Sequence, residues 1–398
     1  MVYFEQVFAS EAYIANNSDN SVTVINANTR VFIETIPVGN GPQGVAVTPN
    51  GSYAYITNAS GNTVSVIDTT TKAVVDVISV GIGVTPVGVA VSPDGSLVYV
   101  SNNGESTVSV INAETNIVTG SITVGFAPVG IAFTPDGNFA YVANTFEDNI
   151  SVIDIGSGSV INTVPVGGFP FGVAVTPNGS YVYATNLTSG TVSVIDTSSN
   201  IVVDEITVAS EPRYLAITPN GEFVYVANSG SDEISVITTA SNTVTDTISA
   251  SIGVSPFGVA IVPGGGFVYV TNNGSNNASV IDTNTNLVIE TISTGAGPQG
   301  IAITSSPLPP ASLTGQKETN NFPFQKQFIN VLSWTASSSS NIVSYNIYRD
   351  SVLIGSVSSS ALLSYIDTSI NKSEGYTYGV TAVNAIGSES APITVFIQ

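Results

Sequence analysis

The chain has 398 residues, of which 43% are hydrophobic and 9% are charged, and its formal net charge is −21 because 7 basic side chains stand against 28 acidic ones. It contains no cysteine and no histidine, which excludes disulfides, thiolate nucleophiles, Ser-His-Asp triads and imidazole-ligated metal or haem sites. The negative charge disfavours nucleic acid and anionic lipid as partners. The sequence has no run of about 18 apolar residues, so it predicts no transmembrane helix.

The chain begins with residues 1–10, MVYFEQVFAS, which precede the first repeat. This segment has no basic start and carries Glu5, so it is not a complete signal peptide, although Val7 and Ala9 occupy the two positions that a signal peptidase reads. Two interpretations stay open: an N-terminal arm, or the remnant of a signal peptide that starts upstream.

Residues 11–304 consist of a repeated unit. The phrase Y-[VIA]-x-N occurs seven times at intervals of 42 or 44 residues, and the phrases V-S-V-I-D and P-x-G-[VI]-A recur with it. Each unit predicts four short strands, as in residues 44–51, 53–58, 63–68 and 74–80, where apolar and polar residues alternate between turn residues. Four strands in a unit of this length, repeated seven times, predict an all-β seven-bladed β-propeller.

The phase of the repeat predicts how the ring closes. The first copy starts at its second strand, and the last copy stops after its first strand, residues 300–304. Pairing of that last strand with the first three would complete one blade from both ends of the domain and remove its free edge.

These phrases resemble a known family. Tyr269-Val270-Thr271-Asn272, together with the recurring P-x-G-V-A and S-V-I-D phrases, is similar to the YVTN family of β-propellers over residues 11–304. The resemblance implies a surface-layer component or a bacterial cell-surface or secreted protein, mostly without a defined activity. More distant propeller relatives include lactonase-like enzymes and haem-binding domains of nitrite reductases, and the absence of histidine argues against the haem-binding relatives.

The composition changes after a Pro-rich linker at residues 305–310. Residues 305–398 contain five acidic and four basic side chains, so almost all of the net charge belongs to the propeller. Short alternating strands in residues 311–398 predict an immunoglobulin-like β-sandwich. The segments 332–334, 345–350 and 376–384 resemble fibronectin type III modules, which implies that Trp334 is the core tryptophan and Tyr376 the tyrosine-corner residue.

The P-x-G motifs are expected to gather at one face of the propeller, around the mouth of its channel. One copy departs from the pattern, because Pro212-Arg213-Tyr214 replaces glycine with tyrosine and adds one of three bases in the propeller. We predict a mouth for an anionic or sugar-like ligand. Its predicted ligand-binding residues are Arg213, Tyr214, Gln43, Gln299, Phe171 and Phe257. The sequence alone favours a simpler interpretation, in which Arg213 pairs with Glu211 and Tyr214 fills a gap.

Acidic residues follow the Y-x-x-N phrases in loops that should share this face. These are Asp19, Glu105, Glu147, Asp148, Asp232 and Glu233. No loop has the dense acidic spacing of a calcium loop, so we interpret the acids as a solvated rim and predict neither a metal site nor a cofactor. The recurring aspartate of V-S-V-I-D is interpreted as a turn-capping residue.

The sequence favours a non-enzymatic cell-surface or secreted protein, with extracellular localisation. The rigid propeller would present a ligand-binding face to a protein or glycan, and the β-sandwich would act as a spacer or adhesion module. The alternative is a propeller hydrolase or lactonase that uses channel-mouth carboxylates, with or without Ca²⁺. Convergence of several acids with Arg213 would favour the enzyme, and scattered acids would favour the binding scaffold. A third option is a protein–protein scaffold with an apolar patch near Phe146, Phe171 and Phe257.

Overall fold

The computed structural model describes residues 10–79, 81–249, 251–304, 310–322, 325–337, 342–371, 374–384, 389–390 and 392–398. The chain divides into two compact units, of which one is Ser10–Thr304 and the other contains the described residues after 305. Every regular element in the described residues is a β-strand. No helix there is long and apolar enough to cross a membrane. All but the last residue of the predicted N-terminal arm (1–10) and of the predicted linker (305–310) lie outside the described residues.

The first unit contains 28 strands in seven four-stranded antiparallel sheets. Three of these blades are β4 (Pro42–Val47), β5 (Tyr53–Asn58), β6 (Thr63–Asp68), β7 (Ala73–Ile78); β8 (Pro86–Val91), β9 (Leu97–Asn102), β10 (Thr107–Asn112), β11 (Ile117–Thr123); and β12 (Pro128–Phe133), β13 (Phe139–Asn144), β14 (Asn149–Asp154), β15 (Ser159–Pro165). Three more are β16 (Pro170–Val175), β17 (Tyr181–Asn186), β18 (Thr191–Asp196), β19 (Ile201–Thr207); β20 (Pro212–Ile217), β21 (Phe223–Asn228), β22 (Glu233–Thr238), β23 (Thr243–Ile248); and β24 (Pro256–Ile261), β25 (Phe267–Asn272), β26 (Asn277–Asp282), β27 (Leu287–Ser293).

The seventh blade joins the two ends of the unit. It contains β1 (Glu11–Asn16), β2 (Ser21–Asn26), β3 (Phe32–Pro37) and β28 (Pro298–Ile303), in the order β28-β1-β2-β3. Ile14 of β1 pairs with Ile301 of β28 in an antiparallel register. The chain therefore forms the seven-bladed β-propeller that the repeat predicts, and the ring closes by strand pairing.

The hydrophobic core lies between neighbouring blades. Tyr55 and Val66 of one blade pack in a single cluster with Val98 and Ile111 of the next, whereas Val77 on the outermost strand β7 is exposed. Each blade thus buries its two middle strands against its neighbours, because a single four-stranded sheet cannot cover both of its faces.

The recurring tyrosine and asparagine support this packing. Tyr225 is buried, and its hydroxyl donates to Asn286 Oδ1 of the next blade at 2.8 Å. Asn58 is also buried, and its Nδ2 donates to Thr63 and Ser65 on the adjacent strand at 2.9 Å each. Both residues therefore have structural roles that the repeat reproduces around the ring.

The glycine of P-x-G allows the innermost strands to approach each other closely. A Cβ atom placed on Gly88 would lie 1.9 Å from the carbonyl oxygen of Val129 in the next blade, which no side chain could tolerate. The inner ring is therefore built almost entirely of glycine at this position.

The recurring aspartate caps a turn. Asp68 Oδ1 accepts the backbone N–H groups of Thr70 and Thr71 at 2.9 and 2.8 Å. These hydrogen bonds lower the pKa of Asp68, chiefly through the Thr71 N–H, against a smaller opposing effect of burial. The contacts support the turn-capping interpretation of the sequence.

The second unit consists of two antiparallel sheets. One contains β29 (Ser312–Phe322), β30 (Gln325–Thr335) and β33 (Ser364–Asp367), and the other contains β31 (Ile342–Arg349), β32 (Val352–Ser358), β34 (Tyr376–Asn384) and β35 (Ile393–Ile397). The strand orders are β29-β30-β33 and β32-β31-β34-β35. Leu332 and Trp334 from the first sheet share one core with Ile347, Tyr378 and Val380 from the second.

Candidate functional site

A cavity of 640 Å³ lies where the innermost strands of the propeller begin. The variable residue of every P-x-G motif lines it, and so does the tyrosine that replaces one glycine. These lining residues are Gln43, Val87, Val129, Phe171, Arg213, Tyr214, Phe257 and Gln299. All six residues predicted to bind a ligand therefore lie around one cavity, because each blade contributes the first residues of its inner strand.

Tyr214 separates this mouth cavity from a second, deeper one. The second cavity has a volume of 160 Å³ and is lined by inner-ring glycines, among them Gly44, Gly88 and Gly258. Tyr214 lines both cavities. Burial raises the pKa of the Tyr214 hydroxyl, so this hydroxyl stays protonated at neutral pH. The residue therefore brings a neutral phenol to the boundary between the two cavities.

Arg213 lies over two aromatic rings in the mouth cavity. Its guanidinium carbon is 5.2 Å from the ring centroid of Phe171 and 5.0 Å from that of Phe257. Nε donates to Ser229 Oγ at 2.9 Å, and 27% of the side chain is exposed. Burial lowers the pKa of Arg213 and Glu211 opposes this shift, but a guanidinium remains charged. The aromatic contacts hold one partly desolvated cation at the mouth.

Glu211 brings a carboxylate next to this cation. Its Oε2 lies 4.0 Å from Arg213 Nη2 and accepts a hydrogen bond from Ser229 Oγ at 3.3 Å. The side chain is 53% exposed, so water can reach it. Glu211 also has a φ of 52°, in the left-handed region that costs a side-chain-bearing residue about 1–2 kcal/mol. The predicted pairing with Arg213 is thus long, and both groups face the cavity.

The rim acids do not converge on Arg213. Three of them bind backbone amides of neighbouring loops: Asp19 binds Ala296, Asp148 binds Phe169, and Asp232 binds Ser255. Among the cavity-lining residues that the structure describes, Glu211 is the one acid. The described residues also contain no group of three or more acidic side chains arranged to hold a metal ion.

Several cavity residues were not among the predicted ligand-binding residues, and the most informative of them are Glu211, Phe146 and Phe169. The signal was present, because the residue before each P-x-G proline is glycine in two copies but glutamate or phenylalanine in two others. In all seven copies this residue has a positive φ. Large side chains at such a position indicate a functional loop.

A family model described as "Lactonase, 7-bladed beta-propeller" matches residues 120–203 and 200–294. These residues form less than half of the chain, but they include Phe171, Glu211, Arg213 and Phe257. No curated protein matches the chain.

Several solved structures share the propeller fold. Hydrazine synthase of Kuenenia stuttgartiensis is 24% identical, with a TM-score of 0.62 over 68% of this chain and 92% of the other. A functionally unknown protein from Desulfotomaculum acetoxidans is 17% identical, with a TM-score of 0.67 over 74% and 99%. A putative 6-phosphogluconolactonase from Bacteroides uniformis is also 17% identical, with a TM-score of 0.63 over 74% and 99%. These identities establish a common fold and no more.

The expectation of a non-enzymatic binding protein is wrong. The matching family model describes lactonases, and it favours the hydrolase alternative. The error has a chemical cause: missing histidine and cysteine exclude imidazole and thiolate catalysis, but a carboxylate can activate water without either. The hydrolase alternative itself needs one amendment, since among the described lining residues the cavity brings one carboxylate to Arg213 and not several.

Proposed function

We propose that this protein is a hydrolase that opens a lactone or a related ester in the mouth cavity. The observation that carries the proposal is the Glu211–Arg213 pair, which lies in the region matched by the lactonase family model. The two groups supply a base and a positive charge within 4.0 Å of each other, and the cavity beside them has room for a small cyclic ester.

The chemistry requires a general base and stabilisation of an oxyanion. Glu211 accepts a proton from a water molecule, and the water oxygen forms a bond to the carbonyl carbon of the ester. Arg213 stabilises the negative charge that develops on the carbonyl oxygen. The ring C–O bond then breaks, and the leaving alkoxide takes the proton back from Glu211. The product is a hydroxy acid, and neither an oxidant nor a reductant takes part.

The surrounding residues orient the reacting groups. Ser229 bridges the pair, since its hydroxyl accepts from Arg213 Nε and donates to Glu211. Phe171 and Phe257 lie against the guanidinium and keep bulk water from it, which strengthens its interaction with an oxyanion. Tyr214 forms the floor of the mouth and offers its protonated hydroxyl to the substrate.

The test is hydrolysis of γ- and δ-lactones by the whole chain, followed by titration of the released acid. We expect Glu211→Gln and Arg213→Met each to lower kcat/KM by about 100-fold. Glu147→Gln is the matched control, because it removes an exposed acid from a loop next to the mouth without touching the pair. An inactive wild-type protein, or equal losses in all three variants, would contradict the proposal.

We also infer that the second unit is a fibronectin type III-like sandwich. Trp334 lies in its core, and the Tyr376 hydroxyl accepts the backbone N–H of Asn371 at 3.0 Å, which is the contact of a tyrosine corner. We propose, in addition, that the chain is divided into a propeller and a sandwich domain. We also propose that it is related to the YVTN surface-layer proteins and that it is located outside the cell. Protease treatment of intact source cells tests the location, because an exposed protein would be cleaved.

A further inference from the structure

We propose that the substrate carries an apolar tail, which lies along three phenylalanines between the rim and Arg213. This inference rests on the proposed hydrolase function and narrows its substrate class to lactones or esters with an alkyl or aryl substituent. The three residues, Phe126, Phe146 and Phe169, are called the aromatic track below.

The aromatic track is continuous and leads into the mouth cavity. The ring centroids of Phe126 and Phe146 are 5.8 Å apart, and those of Phe146 and Phe169 are 5.3 Å apart with the planes at 87°. Phe146 and Phe169 line the cavity that contains Arg213. Phe126 and Phe146 remain 52% and 62% exposed. Apolar surface thus extends from solvent to the wall of the mouth cavity.

The fold does not require these rings. At the position of Phe126, the other six copies have Asn40, Val84, Gly168, Ser210, Val254 and Ala296. At the position of Phe146, they have Ser18, Ser60, Gly104, Thr188, Gly230 and Gly274. The same loops form with smaller, non-aromatic residues in those copies, so the phenylalanines serve a purpose other than loop formation.

Phe169 adds a second, independent observation. Its φ is 59°, as positive as in every other copy, and this conformation disfavours a residue with a bulky side chain. The other six copies have Gly41, Thr85, Ala127, Glu211, Ser255 and Gly297 at this position. A phenylalanine in this strained position directs an aromatic ring into the cavity. The loop has this φ in every copy, so the feature that indicates function is the choice of the bulkiest residue at this position in one copy.

The charges of the cavity disfavour a strongly anionic substrate. Among the described residues that line it, Arg213 is the one base, and Glu211 lies beside it. A phosphorylated sugar would meet one cation in a protein with a formal charge of −21. A neutral lactone ring at Arg213 with an apolar tail on the aromatic track matches both parts of the cavity.

The experiment compares γ-butyrolactone, γ-octalactone and γ-dodecalactone, which share the reacting ring and differ in tail length. We expect wild-type kcat/KM to rise with the tail, by about tenfold or more from the first to the last, as burial of methylene groups predicts. In the double variant Phe126→Ser/Phe146→Ser, the ratio of kcat/KM for the dodecalactone to that for the butyrolactone should fall by about tenfold.

Two control variants separate the aromatic track from general effects. Phe32→Ser removes a phenylalanine that is 51% exposed on the outermost strand β3. Val254→Ser changes the residue equivalent to Phe126 in another blade. Both should retain the wild-type ratio. A double variant that also retains it would overturn the inference and leave the hydrolase function intact.

Isothermal titration calorimetry with sodium dodecanoate measures binding of an alkyl chain without hydrolysis, and so tests the aromatic track separately from the hydrolase function. If no lactone is hydrolysed, the proposed function fails. Dodecanoate binding to the wild type, with a negative heat-capacity change that is lost in the double variant and kept in Phe32→Ser, would still support the aromatic track as an apolar subsite. Absence of both hydrolysis and dodecanoate binding would overturn the inference.

Discussion

The blade interior and the channel mouth use the same sevenfold repeat in opposite ways. In the interior, every copy keeps its tyrosine and asparagine, and each tyrosine is fully or almost fully buried. At the mouth, the residues on either side of the P-x-G proline change from copy to copy, from glycine and glutamine to phenylalanine, arginine and glutamate. Stability is therefore distributed around the ring, whereas the proposed chemistry depends on one sector.

The difference shows where a repeat protein can change without losing its fold. An interior residue contacts the next blade, so a substitution there disturbs two sheets. A mouth residue borders a cavity, and its replacement leaves the strand pairing in place. The departures from the repeat are consequently the best guide to function in this molecule.

The largest effect is expected in the interior. Tyr225→Ala should lower the free energy of unfolding by about 3–5 kcal/mol, because it leaves a cavity between two blades. Tyr225→Phe should cost about 1 kcal/mol, because it removes only the hydrogen bond to Asn286. Urea denaturation of the two variants measures the difference. Equal losses would mean that the hydrogen bond, and not the packing, makes this layer stable.

A smaller effect of opposite sign is expected at the mouth. Glu211→Gly should abolish lactone hydrolysis while leaving the free energy of unfolding unchanged or raising it by up to about 1 kcal/mol, because glycine tolerates the φ of 52° without strain. Glu211→Gln retains the strain and serves as the control. If Glu211→Gly lowered the free energy of unfolding as strongly as Tyr225→Ala, the proposed difference between the blade interior and the channel mouth would be wrong.

The smallest effect is expected on the stability of the fold at low pH, through the aspartates that cap turns within the blades. Hydrogen bonds from Ser92 and Ser96 lower the pKa of Asp94, and those from Thr134 and Asn138 lower that of Asp136. A carboxylate with a lowered folded-state pKa stabilises the fold above its unfolded value of 3.8, and this contribution is lost as the pH falls through the folded-state value. Thermal unfolding between pH 2 and 7 should show that loss below about pH 4.

The double variant Asp94→Asn/Asp136→Asn tests the assignment. Asn50 occupies the same turn position in another blade and makes the same contacts, with its Oδ1 accepting from Thr48 Oγ1 and from the Ser52 N–H. The variant should therefore keep the turn, be slightly less stable than the wild type near pH 7 because its hydrogen bonds are not charge-assisted, and approach the wild type in acid. An unchanged slope with pH would assign the acid sensitivity to other carboxylates.

The sequence alone was enough to predict the fold of the first unit. Strand positions, the number of blades and the closing pairing of β1 with β28 all follow from short phrases that recur at regular intervals. The structural roles of the tyrosine and of Asp68 were also predictable, because a residue that recurs in nearly every copy serves the part of the structure that every copy shares.

Part of the mouth was predictable as well. Arg213 and Tyr214 break the P-x-G pattern, and their position at the start of an inner strand places them at the channel. The role proposed here for Glu211 was not predicted, because its neighbour Arg213 suggested a simple ion pair. The expectation of a protein without catalysis was wrong because it was drawn from the residue types that are missing.

The tertiary structure decided which mouth residues meet. Phe171, Arg213 and Phe257 come from three blades, at least 42 residues apart in sequence, and no local pattern records the 5.9 Å between the two phenylalanine rings. The separation of the cavities by Tyr214 likewise depends on the whole ring. Hydrogen bonding within a blade is local and periodic, and it can therefore be predicted from the sequence. The mouth cavity instead forms at the centre of the ring, where residues from all the blades meet.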